Sequence, residues 1–411
     1  MKNLFFFTFI SLILLSVDVR SQSNLPNLVS IYDMQSTSMH PQFKIFHRSD
    51  SLTVLILKLN LQNLNTVRLS NRLFEAKISI KILFYQSLWS MKIIDTFNKE
   101  IVLRTSSVNE IYTTTIDFKT AFDTAFCVII TKDLYSKQKS LSLIKFDRTK
   151  NSEQNFLILD SVNSNPLINN IVKPNTVYYI NCRFREEKFV VRKYFLDKLL
   201  PQTVSSNDEN TNVLEMETEK IVKSNDFLTF SDSGVYRISL LSDENVSFTL
   251  INYGESFPYF LYANDLLNPL VYLTSTSQFA EMHQKQNKKL AVDDFWISKG
   301  KNINNAKSLI KIYYNRSVYA NIYFSNTAEG WRTDRGMILI IFGLPNSVKK
   351  TDNQEFWYYY NSISGKSLKF TFTQKQRNNL TTDYFLERNS DLYVHWKAAI
   401  KSWNSGEIYK F

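Results

Sequence analysis

The chain has 411 residues, 44% of them hydrophobic and 14% aromatic, against only 8 glycines and 8 prolines. That composition can bury substantial cores and excludes fibrous, low-complexity and disordered classes. A formal charge of +11 can point to nucleic acid, but the lysines are spread without a basic block, so a solvated basic surface is expected and a nucleic-acid partner is not.

Residues 1–21 read as a secretory signal peptide. Lys2 gives a minimal positive start, residues 4–17 are almost unbroken apolar, and Val19-Arg20-Ser21 precede an expected cleavage before Gln22. The run is shorter than the ~20 residues of a spanning helix, and no later stretch matches it. No transmembrane segment is therefore expected in the mature chain. No cysteine lies near the cleavage point, so a lipid anchor is not expected either.

Residues 25–150 read as strand after strand. Residues 52–57 and 74–82 are apolar-rich, and in the second Ala76, Ile78, Ile80 and Ile82 share one face while Lys77, Ser79 and Lys81 share the other. Further strands are predicted at 110–117 and 125–132. Short alternating strands between polar turns predict an antiparallel β-sandwich of immunoglobulin-like type. Residues 151–258 repeat the pattern at 156–159, 176–184, 189–194, 235–241 and 246–252, predicting a second sandwich. A polar stretch at 203–211 reads as a surface loop.

Cys127 and Cys182 are the only cysteines. The expectation is two buried thiols in separate sheets, with a disulfide between them as the alternative. The four histidines, His40, His47, His283 and His395, stand apart, and each is expected at the surface or in a cap. No metal-ligand spacing and no phosphate-binding or nucleophile-elbow pattern is found, so neither metal nor cofactor is expected.

Beyond residue 262 the texture turns helical. Helices are predicted at 276–282, at 290–298 with Gly300 in the position after the helix end, and at 304–324. Strands are predicted at 337–342, 355–360 and 367–373. A closing helix carries Tyr393, Trp396, Ile400 and Trp403. Residues 262–411 thus read as an α+β domain expected to fold alone.

Within it stands Gly330-Trp331-Arg332-Thr333-Asp334-Arg335-Gly336, followed by Met337-Ile338-Leu339-Ile340-Ile341-Phe342 and Gly343-Leu344-Pro345. This stretch resembles the signature of the GWxTD domain, a family of exported bacterial proteins found mainly in the Bacteroidetes. Asp294-Phe295-Trp296, the run from Tyr313 to Asn321, Glu355-Phe356-Trp357-Tyr358-Tyr359 and the tail from Trp403 to Tyr409 extend the resemblance in order. Ser317, directly after Arg316, departs from the family pattern and is expected to soften the contact made by Arg316. The family has no established activity, so the resemblance carries over no catalytic residue.

Candidate contacts are Trp331, Thr333, Asp334, Arg335, Trp357 and Tyr359. Asp334 could act as a base with Arg335 holding an anion. Equally, Asp334 could accept backbone bonds in a turn, with Arg335 pairing to it or to Asp294 and Trp331 anchoring the loop. In the 356–360 cluster one face is expected in the core, and the other could stack on a sugar or a protein. The sequence favours an exported, non-enzymatic protein of the periplasm or the periplasmic face of the outer membrane. In this reading two sandwiches space a C-terminal domain that binds an envelope protein in assembly or secretion. The alternatives are a glycan- or peptidoglycan-binding module, or a hydrolase using Asp334 and Glu329.

Overall fold

A computed structural model describes residues 25–70, 72–162, 164–205, 213–377 and 380–411. The expected leader lies outside the described residues, as do residues 206–211 of the expected loop.

In the first region, β1 (Gln42–His47), β2 (Thr53–Asn60), β3 (Val67–Arg68), β4 (Phe74–Tyr85), β5 (Ile93–Thr105), β6 (Ile111–Phe118), β7 (Thr124–Asp133) and β8 (Lys139–Asp147) build two antiparallel sheets. One runs β1-β2-β6; the other runs β5-β4-β7-β8, with β3 on the β7 side of β4. The alternation seen in the sequence decides which face is covered. Ala76, Ile78, Ile80, Ile82 and Phe84 of β4 turn inward and share a core with Leu55 and Leu57 of β2. The long β5 escaped prediction because Asp95, Asn98, Lys99 and Glu100 break its apolar pattern.

The second region holds β9 (Phe156–Asp160), β10 (Val177–Cys182), β11 (Lys188–Tyr194), β12 (Met216–Lys223), β13 (Leu228–Thr229), β14 (Gly234–Leu240) and β15 (Ser247–Asn252). Sheets β13-β10-β9 and β12-β11-β14-β15 enclose Phe156, Ile158, Ile180, Val191, Ile238 and Phe248. Both regions are antiparallel two-layer arrangements compatible with β-sandwiches. They meet through a small apolar contact of Phe46, Val54 and Ile56 with Leu157 and Leu159. Cys127 and Cys182 are free thiols on β7 and β10, strands of different sheets, so no disulfide joins them.

His47 corrects the expectation of a surface role. It is fully buried, with Nδ1 3.0 Å from Thr53 Oγ1 and Nε2 2.9 Å from the Asp147 carbonyl. The carbonyl can only accept, so Nε2 carries the proton and Nδ1 receives the threonine hydroxyl. Burial pushes the imidazole down to about 4.

The third region comprises α1 (Ala263–Leu267), α2 (Thr276–Gln284), α3 (Lys288–Gly300), α4 (Ile303–Phe324), α5 (Asp334–Phe342), β16 (Ser347–Lys350), β17 (Gln354–Tyr360), β18 (Ser367–Arg377), β19 (Thr381–Leu386) and α6 (Ser390–Asn404). The strands form one antiparallel sheet in sequence order. Ser275, Asn287, Asn302 and Asn389 cap four of the helices by accepting a backbone N–H. Gly300 does not sit past the end of α3. Lys301 takes the left-handed turn at φ 63°, and Gly300 closes the helix where a Cβ would lie 2.6 Å from the Ala306 nitrogen. That glycine serves close approach of α4. No described helix is long and apolar enough to cross a membrane.

The core of this region is not confined to residues 262–411. Leu28, Tyr32 and Val204 are buried within it. Leu28 N donates to the Val348 carbonyl at 2.7 Å, and Val348 N donates to Asn27 Oδ1 at 3.0 Å, so the N-terminal segment is stitched to β16. The Tyr32 ring packs edge-on to Tyr323 and Phe324 and lies 6.0 Å from Trp357. Val204 also corrects the start of the expected loop, which is anchored rather than exposed.

A fragment of residues 262–411 lacks these side chains and is expected to show no cooperative melt, while residues 25–411 melt cooperatively; circular dichroism decides. A folded, cooperative fragment would show Leu28, Tyr32 and Val204 to be dispensable. The depressed histidine gives a second test. Unfolded His47 gains its proton near pH 6.5 and folded His47 only near pH 4, so its contribution to stability is complete above about 6.5 and is lost as pH falls towards 4. Its loss amounts to at most ~3 kcal/mol. Urea unfolding of the wild type should weaken more between pH 7 and pH 5 than that of His47→Asn.

Candidate functional site

The signature begins where α4 has ended. Gly330 crosses α4 so closely that a Cβ would stand 1.9 Å from the Ala320 carbonyl oxygen. Its N–H donates to Ser325 Oγ at 2.6 Å, and Trp331 N–H donates to Asn321 Oδ1 at 3.1 Å. The Trp331 ring is buried edge-on to Tyr272, whose hydroxyl donates to the Trp331 carbonyl at 2.7 Å. Arg332 covers the ring at 4.1 Å while pairing with Glu329 at 3.0 Å. The tryptophan is an anchor.

Thr333 and Asp334 start a helix, not a strand. Thr333 Oγ1 accepts from Gly336 N–H at 3.1 Å and donates to the Gly330 carbonyl at 2.8 Å, which makes it the cap of α5. Gly336 admits the Gly330 carbonyl, 1.9 Å from where a Cβ would be. All nine residues of α5 are buried. The predicted strand at 337–342 is therefore wrong for a physical reason. A short apolar run surrounded on all sides shows no periodicity that separates helix from strand, and its three isoleucines favour the strand reading.

The C-terminal end of α5 is satisfied from a distance. Arg316 Nη1 donates to the carbonyls of Ile340 and Ile341 at 3.0 and 3.3 Å, and Trp403 Nε1 donates to Ile341 at 3.0 Å. A guanidinium at helix-end carbonyls that have no partner within the helix complements the helix dipole. Burial lowers the Arg316 guanidinium to about 10. Ser317 does not soften this contact. Its hydroxyl turns back to the Tyr313 carbonyl at 3.0 Å inside α4 and leaves Arg316 in place.

Asp334 and Arg335 feed a buried ionic network. Asp334 pairs with Arg388, Nη1 to Oδ2 at 3.0 Å, and accepts Leu386 N–H at 2.7 Å. Arg388 in turn donates to the carbonyls of Thr203 and Gln202 at 3.1 and 3.2 Å. Arg335 pairs with Glu355 at 3.3 Å and Asp383 at 3.4 Å, not with Asp294 or Asp334. Lys350 joins Glu355 at 2.9 Å, and Arg377 bridges Asp383 at 3.2 Å and Asp197 at 2.8 Å. Four carboxylates thus meet four cations.

The electrostatics follow. Burial raises the Asp334 carboxyl above the ordinary carboxylate range, offset in part by Arg388. Burial also opposes ionisation of Glu355, but Lys350 and Arg335 outweigh it and hold that carboxyl low. Tyr32, over which Lys350 lies at 5.5 Å, is pushed up to about 12 by burial and by Glu355.

All six candidate contacts, Trp331, Thr333, Asp334, Arg335, Trp357 and Tyr359, are therefore interior, each less than a tenth exposed. None can touch a partner or glycan in the folded chain. In β17 the core face carries Glu355, Trp357 and Tyr359, with Trp357 Nε1 donating to Glu355 at 2.7 Å and the Tyr359 hydroxyl to the Gly343 carbonyl at 2.7 Å. Tyr360, on the opposite face, is half-exposed. Glu355, Lys350, Asp383, Arg377 and Arg388 escaped sequence reasoning. The signal was present in part, since period two places Glu355 on one face with Trp357 and Tyr359. Among the described residues no group of His, Cys, Asp or Glu is arranged to hold a metal.

Residues 234–405 match the GWxTD domain, so the chain carries a GWxTD domain. The match opens at Gly234 and includes β14 and β15 ahead of the helices. No curated protein matches the chain.

Asp334→Asn leaves Arg388 buried beside a neutral partner, and breaking a buried pair in this way costs ~3–5 kcal/mol. Trp331→Ala empties a core site at a similar ~3–5 kcal/mol. Both variants are expected to lower the urea midpoint strongly and by comparable amounts. An Asp334→Asn loss below ~1 kcal/mol would mean that the ion pair does not hold the region closed.

Proposed function

We propose that this GWxTD-domain chain is an exported, non-enzymatic scaffold of the cell envelope. Its two β-regions, read as immunoglobulin-like modules, act as spacers that present the C-terminal domain to a protein partner in envelope assembly or secretion. One observation carries this reading: the charged residues of the signature, Asp334 and Arg335, are spent on internal ion pairs. A hydrolase needs convergent carboxylates in an accessible, concave site. Asp334 is enclosed, and Glu329 is engaged with Arg332. Recognition is what the remaining surface offers, and the basic balance of the chain suits an acidic partner.

A second reading, glycan binding, moves from the buried rings to the end of β17, where Tyr360 is half-exposed although Phe356 on the same face is buried. Stacking on a sugar uses such a ring.

The test is a photo-crosslinking side chain at Tyr360, with Tyr359 as the buried control, in the native host. The scaffold reading expects a discrete protein adduct from position 360 alone, on material outside the cytoplasm whose N-terminus lies near Gln22. Cytoplasmic protein that still begins at Met1 would sink the reading. Retention on a purified envelope polysaccharide that Tyr360→Ala abolishes, with no protein adduct, would replace it by glycan binding.

A further inference from the structure

A cleft of about 840 Å³ opens where the three regions of the chain meet, within the ~300–1,000 Å³ of ligand sites, which favour such junctions. Its walls come from the N-terminal segment, β8, the residues around β9 and β10, and α4. None of residues 329–336 lines it, so it is separate from the signature.

The β8 wall has an unusual property. Ser140, Leu141, Ser142 and Leu143 all line the cleft in succession, as happens when a strand presents its edge rather than a face. β8 is the last strand of its sheet, hydrogen-bonded as a strand only to β7, while residues 29–31 pack beside it and Leu141 and Leu143 rest on the core of the third region. The direction of its backbone groups follows from the hairpin. Asp133 N–H donates to the Gln138 carbonyl at 3.0 Å, and the register pairs Thr131 with Ser140 and Ile129 with Ser142. Antiparallel pairs two residues apart bond alike, so Ser140 and Ser142 bond β7, while Leu141 and Leu143 direct N–H and C=O away from it. The Lys145 carbonyl, next in that outward series, is met by the Gln154 side chain, consistent with the assignment.

Exposed strand edges are ordinarily guarded by charges, proline or bulges. β5 carries Asp95, Lys99, Glu100 and Arg104 along its length, and β12 carries Glu217, Glu219, Lys220 and Lys223. Between Lys139 and Lys145, β8 offers Ser140-Leu141-Ser142-Leu143-Ile144, with neither charge nor proline. The surrounding walls divide into an apolar set, Ile31, Ile322 and Tyr323, and a polar set, Lys58, Asn165 and Thr176. Asp33 and Asp160 accept the backbone N–H of Gln35 and Val162 in their own turns, at 2.9 and 2.8 Å.

We infer that this cleft binds an extended polypeptide segment, with alternating apolar and polar side chains, which adds as a strand to the free edge of β8. Backbone bonds to Leu141 and Leu143 give affinity, and the two kinds of wall select alternate side chains. A glycan could meet the polar wall but would not satisfy a row of backbone donors and acceptors at strand spacing. The inference is independent of the scaffold reading, because no residue of β17 lines the cleft and the site stands whatever Tyr360 contacts.

The test uses the purified mature chain and peptides selected on it from a random library displayed on phage. Selected peptides are expected to slow hydrogen exchange at the Leu141 and Leu143 amides. Leu141→Pro removes an outward N–H without touching the β7 ladder, a position where edge strands tolerate proline. Because Leu141 also packs against the core of the third region, the substitution should lower the melt slightly and weaken binding about tenfold, whereas Ser142→Pro, which breaks the β7 ladder, should lower the melt far more. Peptides methylated at alternate backbone nitrogens should bind the wild-type chain as weakly, which keeps the test decisive should Leu141→Pro misfold. Failure to enrich any peptide over bare matrix overturns the inference. So do binders that leave both amides unprotected or ignore backbone methylation, or a chitin-type tetrasaccharide that displaces the peptides from the cleft.

Discussion

The ion pair between Asp334 and Arg388 is the constraint on which the third region depends. Asp334 opens α5, Arg388 follows β19, and the carbonyls of Gln202 and Thr203 complete the guanidinium's bonds. One contact thus fixes the central helix, the last strand and the segment arriving from the second region. Neighbouring pairs extend it to β16, β17, β18 and Asp197. A charge left alone at such depth would cost several kcal/mol, whereas the assembled pairs gain little over apolar residues of the same size. The network therefore favours one arrangement over its near neighbours more than it adds to stability. Register errors in the sheet would strand at least one charge.

The chain's connectivity amplifies this. Leu28 joins β16 some three hundred residues later in the sequence, and Tyr32 completes the wall formed by Phe324 and Trp357. Contacts of such separation are slow to form, because the loop entropy must be overcome before any burial rewards it. Tyr32 also seals the network, with Lys350 above its ring. The core of the helical region is thus completed by the N-terminal segment and by the linker near Val204.

Much of this was legible in the residues, and the failures have identifiable causes. Strands with one wet face, such as β4, announce themselves by alternation. The amphipathic helices announce themselves by helical spacing, as in α4. The buried helix α5 does neither, because a segment covered on every side carries no amphipathic signal. What betrays it is local: Thr333 ahead of Asp334, the order of a cap and a first-turn acid, outweighs the isoleucines that follow. The pairing of Arg335 was out of reach for a different reason. Glu355 and Asp383 lie 20 and 48 residues from Arg335 along the chain, so separation in sequence does not single them out from Asp294, and only the fold of the sheet shows which carboxylates end beneath the helix.

The two glycines of the signature explain why it identifies a chain better than it explains one. Gly330 lets the turn cross the α4 backbone, and Gly336 lets α5 accept the Gly330 carbonyl beneath it. Trp331 then fills the space beside them, Thr333 caps, and Asp334 and Arg335 neutralise buried charge. Every position answers a packing or desolvation demand of one crossing between two helices. A motif of that kind constrains the interior and leaves the exterior free. Chains that share it need share no ligand, because nothing in the crossing reaches the surface where a ligand would be met.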